Sequence, residues 1–293
     1  MKIKQSLGER LFDIMNVTLL IIVCALILIP LIHVIAGSLS ETNALIHAKV
    51  TLWPVGLNFD NYILVFQNKT FWQAFMVTVY ITVVGTTINM LLTIFTGYPL
   101  SKLFLRGRKY FMLFIVFTMI FSAPMIPSYL LVKELGMLNS LWSLIIPGAL
   151  GAFNLILCIT FFRGLPEELF EAARVDGMNE YRVVAQIAIP LSMPIIVTLA
   201  LFYSVSHWNN YSAALLYITD PELRPLQLYL YNLLARFDTS DTMSQMSSTI
   251  TYDISPQGLQ YATIIVATIP IIIIYPFIQK HFIKGAMIGS LKE

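Results

Sequence analysis

Long apolar runs separated by short charged islands set the pattern of this chain. No Asp, Glu, Lys or Arg interrupts residues 14–40, 70–101, 110–132, 135–162, 183–219 or 254–279. Each run is long enough to cross a bilayer as a helix, which takes roughly 20 residues. Membrane barrel strands alternate in polarity and last only about ten residues, so unbroken apolarity on this scale excludes a β-barrel. The pattern predicts an all-α membrane protein. Six transmembrane helices are expected over about 14–38, 72–100, 110–132, 138–162, 187–216 and 256–279, in one bundle and one domain. Pro124 and Pro127 inside the third run, and Pro190 with Pro194 leading into the fifth, predict kinks or breaks.

Composition agrees with a lipid solvent. The chain is 57% hydrophobic and 12% charged, about half the charged share of a soluble domain. Of its 18 Lys and Arg, only Lys49, Lys69, Lys133, Arg224 and Arg236 fall on the side opposite the amino terminus. The positive-inside rule then puts both termini of a multi-pass membrane protein in the cytoplasm. Lys2, Lys4 and Arg10 precede the first run, but Val17 to Ala36 is too long for a signal-peptide core, so an uncleaved anchor is expected. Cys24 and Cys158 sit alone inside runs and read as packing residues. The four histidines lack metal-binding companions, and no metal site or nucleic-acid partner is expected.

One charged island is patterned. After Pro166, Glu167 and Glu168 suit the positive end of a helix dipole, Gly177 suits a left-handed turn, and Asn179 suits an N-cap. Residues 163–186 are therefore expected to form a cytoplasmic helix, tight turn and second helix running to Pro190. Leu169, Ala172 and Ala173 share a face at the i, i+3, i+4 spacing, with Glu168, Glu171 and Arg174 around the other side. Two alanines make that face slim enough to seat in a partner's cleft. A carboxylate beside it can bond a partner's Arg or Lys.

Glu171-Ala172-Ala173, then Asp176-Gly177, then Ile187 and Ile189-Pro190 resemble the EAA loop of the membrane subunits of bacterial ATP-binding-cassette importers, with Ile189 where that family has Leu. The resemblance implies a type I importer permease fold. It also implies that Glu171, Ala172, Ala173, Asp176 and Gly177 couple the chain to ATPase subunits, two of which drive each importer. The chain itself has no GxxxxGK[ST] phosphate cradle, so ATP and Mg belong to that partner and no cofactor is expected here. Its runs also hold no carboxylate for an ion-coupled relay and no TVGYG filter.

Residues 279–292 are similar to the basic tail of permeases that import di- and oligosaccharides, and Trp208-Asn209-Asn210-Tyr211 resembles the W-N pair of the smaller permease of maltose-type systems. The resemblance implies a saccharide substrate and a second, non-identical permease. It also sends Lys284, Gly285, Gly289 and Lys292 of the cytoplasmic tail 280–293 to the ATPases, although the same residues suit anionic lipid heads. Trp208 and Tyr211 fit an interfacial belt or a sugar-stacking face, and Asn209 and Asn210 fit hydroxyl-rich ligands or helix packing. Tyr80, Asn89 and Asn154 share that ambiguity. The external loop 220–253 and residues 41–69 are candidate contacts for an extracytoplasmic binding protein, with Ser240 to Ser248 open to reading as a connector. The same machine for a peptide, amino acid or osmolyte, and a receptor that uses the loop only to dock, are the alternatives.

Overall fold

The computed structural model describes residues 7–121, 123–238 and 255–290. In chain order its helices are α1 (Leu7–Ser38), α2 (Thr42–Ile46), α3 (Asp60–Gln67), α4 (Lys69–Ser101), α5 (Arg108–Ile120), α6 (Met125–Glu134), α7 (Ala152–Arg163) and α8 (Glu167–Val175). They continue as α9 (Glu180–Leu191, with a π-helical turn at Val184–Ala188), α10 (Met193–Asn209), α11 (Ser212–Tyr217), α12 (Leu226–Asp238) and α13 (Pro256–Ser290). Among the described residues the β-structure is one antiparallel bridge, Ser40 with Leu57. The helical class expected from the sequence holds.

Among the described residues three helices, Leu7–Ser38, Lys69–Ser101 and Pro256–Ile273, are long and apolar enough to span a membrane alone, and the number rises to five where each of two bent pairs counts as one span. The run at 110–132 stops at Ile120 and restarts at Met125 behind Pro124, where a break was expected. The run at 187–216 is divided as well. α9 and α10 meet at 87° around Ser192, between Pro190 and Pro194, and α10 ends at Asn209.

The expected single helix over 138–162 needs correction. Only Ala152–Arg163 is α-helix, and residues before it form a 3₁₀ turn at Leu141–Leu144 and irregular backbone. Pro147, Gly148 and Gly151 explain this, since proline lacks a donor and glycine weakens helix. Irregular backbone at membrane depth is tolerated where it lines a cavity. The expected loop 220–253 is also partly helix, as α12, and α13 continues past residue 279 to Ser290.

The chain divides into two compact units, Met1–Lys69 with Asn232–Ile269 and Thr70–Tyr231 with Pro270–Glu293. In the first, α1 exposes apolar side chains along most of its length and buries only its last residues, which suits a lipid environment. Ala36, Ala44, Leu45 and Val50 pack there with Tyr261. In the second, α4 is the spine. Phe71, Ala74, Thr78, Ile81, Asn89 and Thr93 form a buried stripe at helical spacing, mixing small and polar residues as packed membrane helices do. The Thr78 hydroxyl accepts from Leu226 N at 2.7 Å and donates to Ala74 O at 3.0 Å, so its polarity is satisfied inside the bundle.

Candidate functional site: a seated loop helix and a polar cavity

Local sequence builds α8. Pro166 precedes its first turn, Glu167 and Glu168 occupy that turn, and Arg174 lies in the last. Both ends of the helix dipole are thus complemented. Gly177 adopts φ +79°, and the chain closes with Gly177 N donating to Arg174 O and Met178 N to Ala173 O, each at 3.0 Å. This is a Schellman cap, with its apolar contact supplied by Met178 against the cluster that holds Ala173. Asn179 then caps α9, its Oδ1 accepting from Arg182 N at 2.9 Å. The helix, turn and helix stand where the sequence placed them.

The face of α8 divides differently from expectation. Phe170 and Ala173 are buried, in a cluster with Ile94, Tyr98, Cys158, Phe162, Val183 and Leu199. Leu169, Glu171, Ala172, Asp176 and Gly177 are exposed, and Val175 is 87% exposed. Ala173 therefore does not share the outward face with Leu169 and Ala172. The bulk of Phe170, one residue from Leu169, decides which side seats against the bundle, and Ala173 follows it at i+3.

Charge closes the seat. Lys102, only 6% exposed at the end of α4, places Nζ 2.7 Å from Glu167 Oε2 and 3.6 Å from the centroid of the Phe170 ring. Arg174 Nε donates to Glu180 Oε1 at 2.9 Å, and Arg174 Nη1 lies 3.5 Å from Glu167 Oε1. The Tyr98 hydroxyl donates to Glu180 Oε2 at 3.1 Å. The hydrogen bond to Glu180 holds the Arg174 guanidinium above its usual range. Burial pushes the Glu180 carboxyl up, but the bonds from Arg174 and Tyr98 outweigh it and leave the carboxyl below its ordinary 4.5. Arg174, read from sequence as an outward charge, is 31% exposed and engaged by Glu167 and Glu180 of the same chain.

A second feature lies in the same unit. Asn89, Ser143, Asn154, Tyr203, Ser206, His207 and Asn210 line a cavity of about 420 Å³ together with Leu144, Pro147, Gly148, Gly151, Ala213 and Tyr217. Asn89 spans it, donating through Nδ2 to Gly148 O at 3.2 Å and meeting His207 Nε2 through Oδ1 at 3.3 Å. The Tyr203 hydroxyl is 2.8 Å from Thr93 Oγ1 and accepts from Gly151 N at 3.2 Å. Gly85 permits this packing, because a Cβ there would stand 2.5 Å from His207 Nε2. The lining has amides, hydroxyls and one imidazole, with no Asp, Glu, Lys or Arg. Such a surface can bond a hydroxyl-rich solute.

The structure gathers Asn89, Asn154 and Asn210 at this cavity and leaves the other candidates away from its wall. Trp208 is 8% exposed and packs edge-on against Phe75 at 5.9 Å. Asn209 is exposed at the end of α10, Tyr80 is half-exposed on α4, and Tyr211 stacks on Tyr231 at 5.5 Å. Sequence reading missed Ser143, Tyr203, Ser206 and His207. A signal was present, since Tyr203, Ser206, His207 and Asn210 follow the i, i+3, i+4, i+7 spacing of one helical face. Lys284, Gly285 and Gly289 lie on the backbone of α13, and Lys292 falls outside the described residues.

Residues 9–287 match the family described as "Binding-protein-dependent transport system inner membrane component". The chain is 41% identical to the polygalacturonan/rhamnogalacturonan transport system permease protein YtcP of Bacillus subtilis (strain 168), over 97% of this chain and 99% of that protein. It is 42% identical to Protein LplC of the same organism, over 97% of this chain and 95% of that one. The structure is similar to the crystal structure of a bacterial ABC transporter involved in the import of the acidic polysaccharide alginate. The TM-score is 0.90 at 34% identity, covering 96% of this chain and 100% of that chain.

Proposed function

Because this chain belongs to the family of binding-protein-dependent transport system inner membrane components, we propose that it is the permease subunit through which an ABC importer carries an oligosaccharide across the cytoplasmic membrane. It is a transport subunit and not an enzyme, and the energy comes from a separate ATPase. Uptake begins with a substrate-binding protein on the outer side.

The observation that carries this reading is α8, an amphipathic loop helix whose inner face is seated in the bundle by Phe170 and Ala173 while its outer face stays free. Glu171, Ala172 and Asp176 form that outer face and serve as the ATPase contact, with Gly177 setting the turn behind them. Ala173 contributes by seating the helix. ATP binding draws two ATPase subunits together, the shift enters each permease through its loop helix, and the bundle rocks between inward-open and outward-open states. Six crossings with both termini cytoplasmic, a second non-identical permease, and a tail at 280–293 that meets the ATPases complete the arrangement. The six charge-free runs and the bias of Lys and Arg support it.

Two relatives whose names mention polygalacturonan/rhamnogalacturonan and an acidic polysaccharide favour a substrate derived from an acidic polysaccharide. The cavity lining, which holds no Asp, Glu, Lys or Arg, is compatible with an acidic saccharide, and the choice rests on the relatives. Uptake into vesicles carrying the full importer, internal ATP and the binding protein tests the reading. Labelled galacturonate or alginate oligomers enter in an ATP-dependent manner, and neutral maltodextrin competes weakly. ATPase association without flux of any saccharide would make the chain a receptor and overturn the proposal.

A further inference from the structure

We propose that Lys102 is a positioning residue for coupling: through Glu167 it clamps α8 to the end of α4, so that the loop helix and the cavity wall move as one body. The proposal rests on the reading of α8 as the ATPase contact and adds the internal connection that this contact needs.

The clamp is a closed set of groups. Lys102 reaches Glu167 at 2.7 Å, Glu167 reaches Arg174 at 3.5 Å, Arg174 reaches Glu180 at 2.9 Å, and Glu180 accepts from Tyr98 at 3.1 Å. Lys102 closes the ring by lying 5.4 Å from the Tyr98 ring centroid and 3.6 Å from that of Phe170. Two cations and two anions balance. An ammonium that is 94% buried requires such a carboxylate and aromatic faces, because an unpaired charge there would be strongly unfavourable.

The members come from three elements with different destinations. Tyr98 belongs to α4, and nine residues earlier Asn89 stands in the cavity wall, about 13 Å away along the helix at 1.5 Å per residue. Glu180 opens α9, which turns at Ser192 into α10, the helix that brings Tyr203 and His207 to the same cavity, where His207 meets Asn89 at 3.3 Å. Glu167 and Arg174 belong to α8 itself. A displacement of α8 is thus delivered to the cavity lining on both α4 and α10 while the clamp is closed. With it open, Phe170, Ala173 and the Arg174–Glu180 pair still seat α8, but its first turn is free to tilt away from α4.

Fold stability does not by itself explain the clamp, because Glu167 is 51% exposed and an ion pair open to solvent on one side adds little to stability. That gives a discriminating variant. The pair Lys102→Met with Glu167→Met leaves no stranded charge and keeps volume, so a structural role would be preserved and a positioning role lost. In the full importer the double variant assembles with its ATPases, yet saccharide imported per ATP hydrolysed falls about tenfold, whereas Lys102→Arg stays near wild type. With the exposed Cys24 replaced by alanine, spin labels at Leu103→Cys and Val175→Cys, both exposed sites, give one narrow distance in the otherwise unaltered chain and a broad distribution in the double variant. A wild-type import ratio, or an equally narrow distance in the double variant, overturns the clamp. An unmodified importer that binds no ATPase instead overturns the transport reading, and the spin-label distance still decides the clamp.

Discussion

Gly177 shows what one residue contributes when nothing touches it. No heavy atom lies within 4 Å of where a Cβ would stand, so its role is wholly its φ of +79°. A β-branched side chain at that backbone costs about 1–3 kcal/mol, concentrated in the turn between α8 and α9. Gly177→Val is expected to lower saccharide import per ATP several-fold without reducing the amount of assembled importer, and Gly177→Asn, which tolerates the left-handed region, to restore most of it. Equal import by the parent and the valine variant would remove the turn from the coupling path. This glycine, the Asn179 cap and the paired Glu167 and Glu168 were readable in the sequence, because caps and turns are decided by neighbours one to four residues away. Phe170, Lys102 and Arg174 were not. Which face of a short helix turns inward depends on the bundle beneath it, and Lys102 lies 65 positions from its partner Glu167.

At the scale of elements the sequence told most where proline acts and least where glycine and tertiary contacts share the work. Pro124 and Pro194 mark real breaks, whereas the apolar run around Pro147 and Gly148 looked like a span and is mostly cavity-lining backbone before α7. The junction between α8 and α9 is held by Arg174, Glu180 and Tyr98, and its pH response follows from the carboxylate. Glu180 is more acidic in the folded chain than its ordinary value of 4.5, so folding favours its ionised form. The contribution is present above the unfolded value and is lost as pH falls through the lower folded value. Amide protection of residues 178–183 is therefore expected to stay level from neutral pH down to about 4.5 and to drop below it. Glu180→Gln should show reduced protection with no such step. Because Glu180 is 55% exposed, solvent screens the pair and the step is modest.

For the whole molecule, the outer face of α8 can meet a cytoplasmic ATPase only if the chain is oriented as its Lys and Arg imply. The bilayer offers no passive correction, since a span inserted in the wrong sense would leave the loop helix and its seven charged residues from Glu167 to Arg182 on the far side. Accessibility of single thiols tests this directly. With Cys24 replaced by alanine and the buried Cys158 kept, Val175→Cys and Trp53→Cys place reporters at positions 87% and 79% exposed. In intact cells a membrane-impermeant maleimide should label the position 53 thiol and leave the position 175 thiol untouched, and in inverted membrane vesicles the pattern should reverse. An added ATPase subunit should then protect position 175 in the vesicles, because Val175 lies beside Ala172 and Asp176 on the face assigned to that contact. Labelling of position 175 from outside would place α8 beyond the reach of ATP and detach the coupling argument from its energy source.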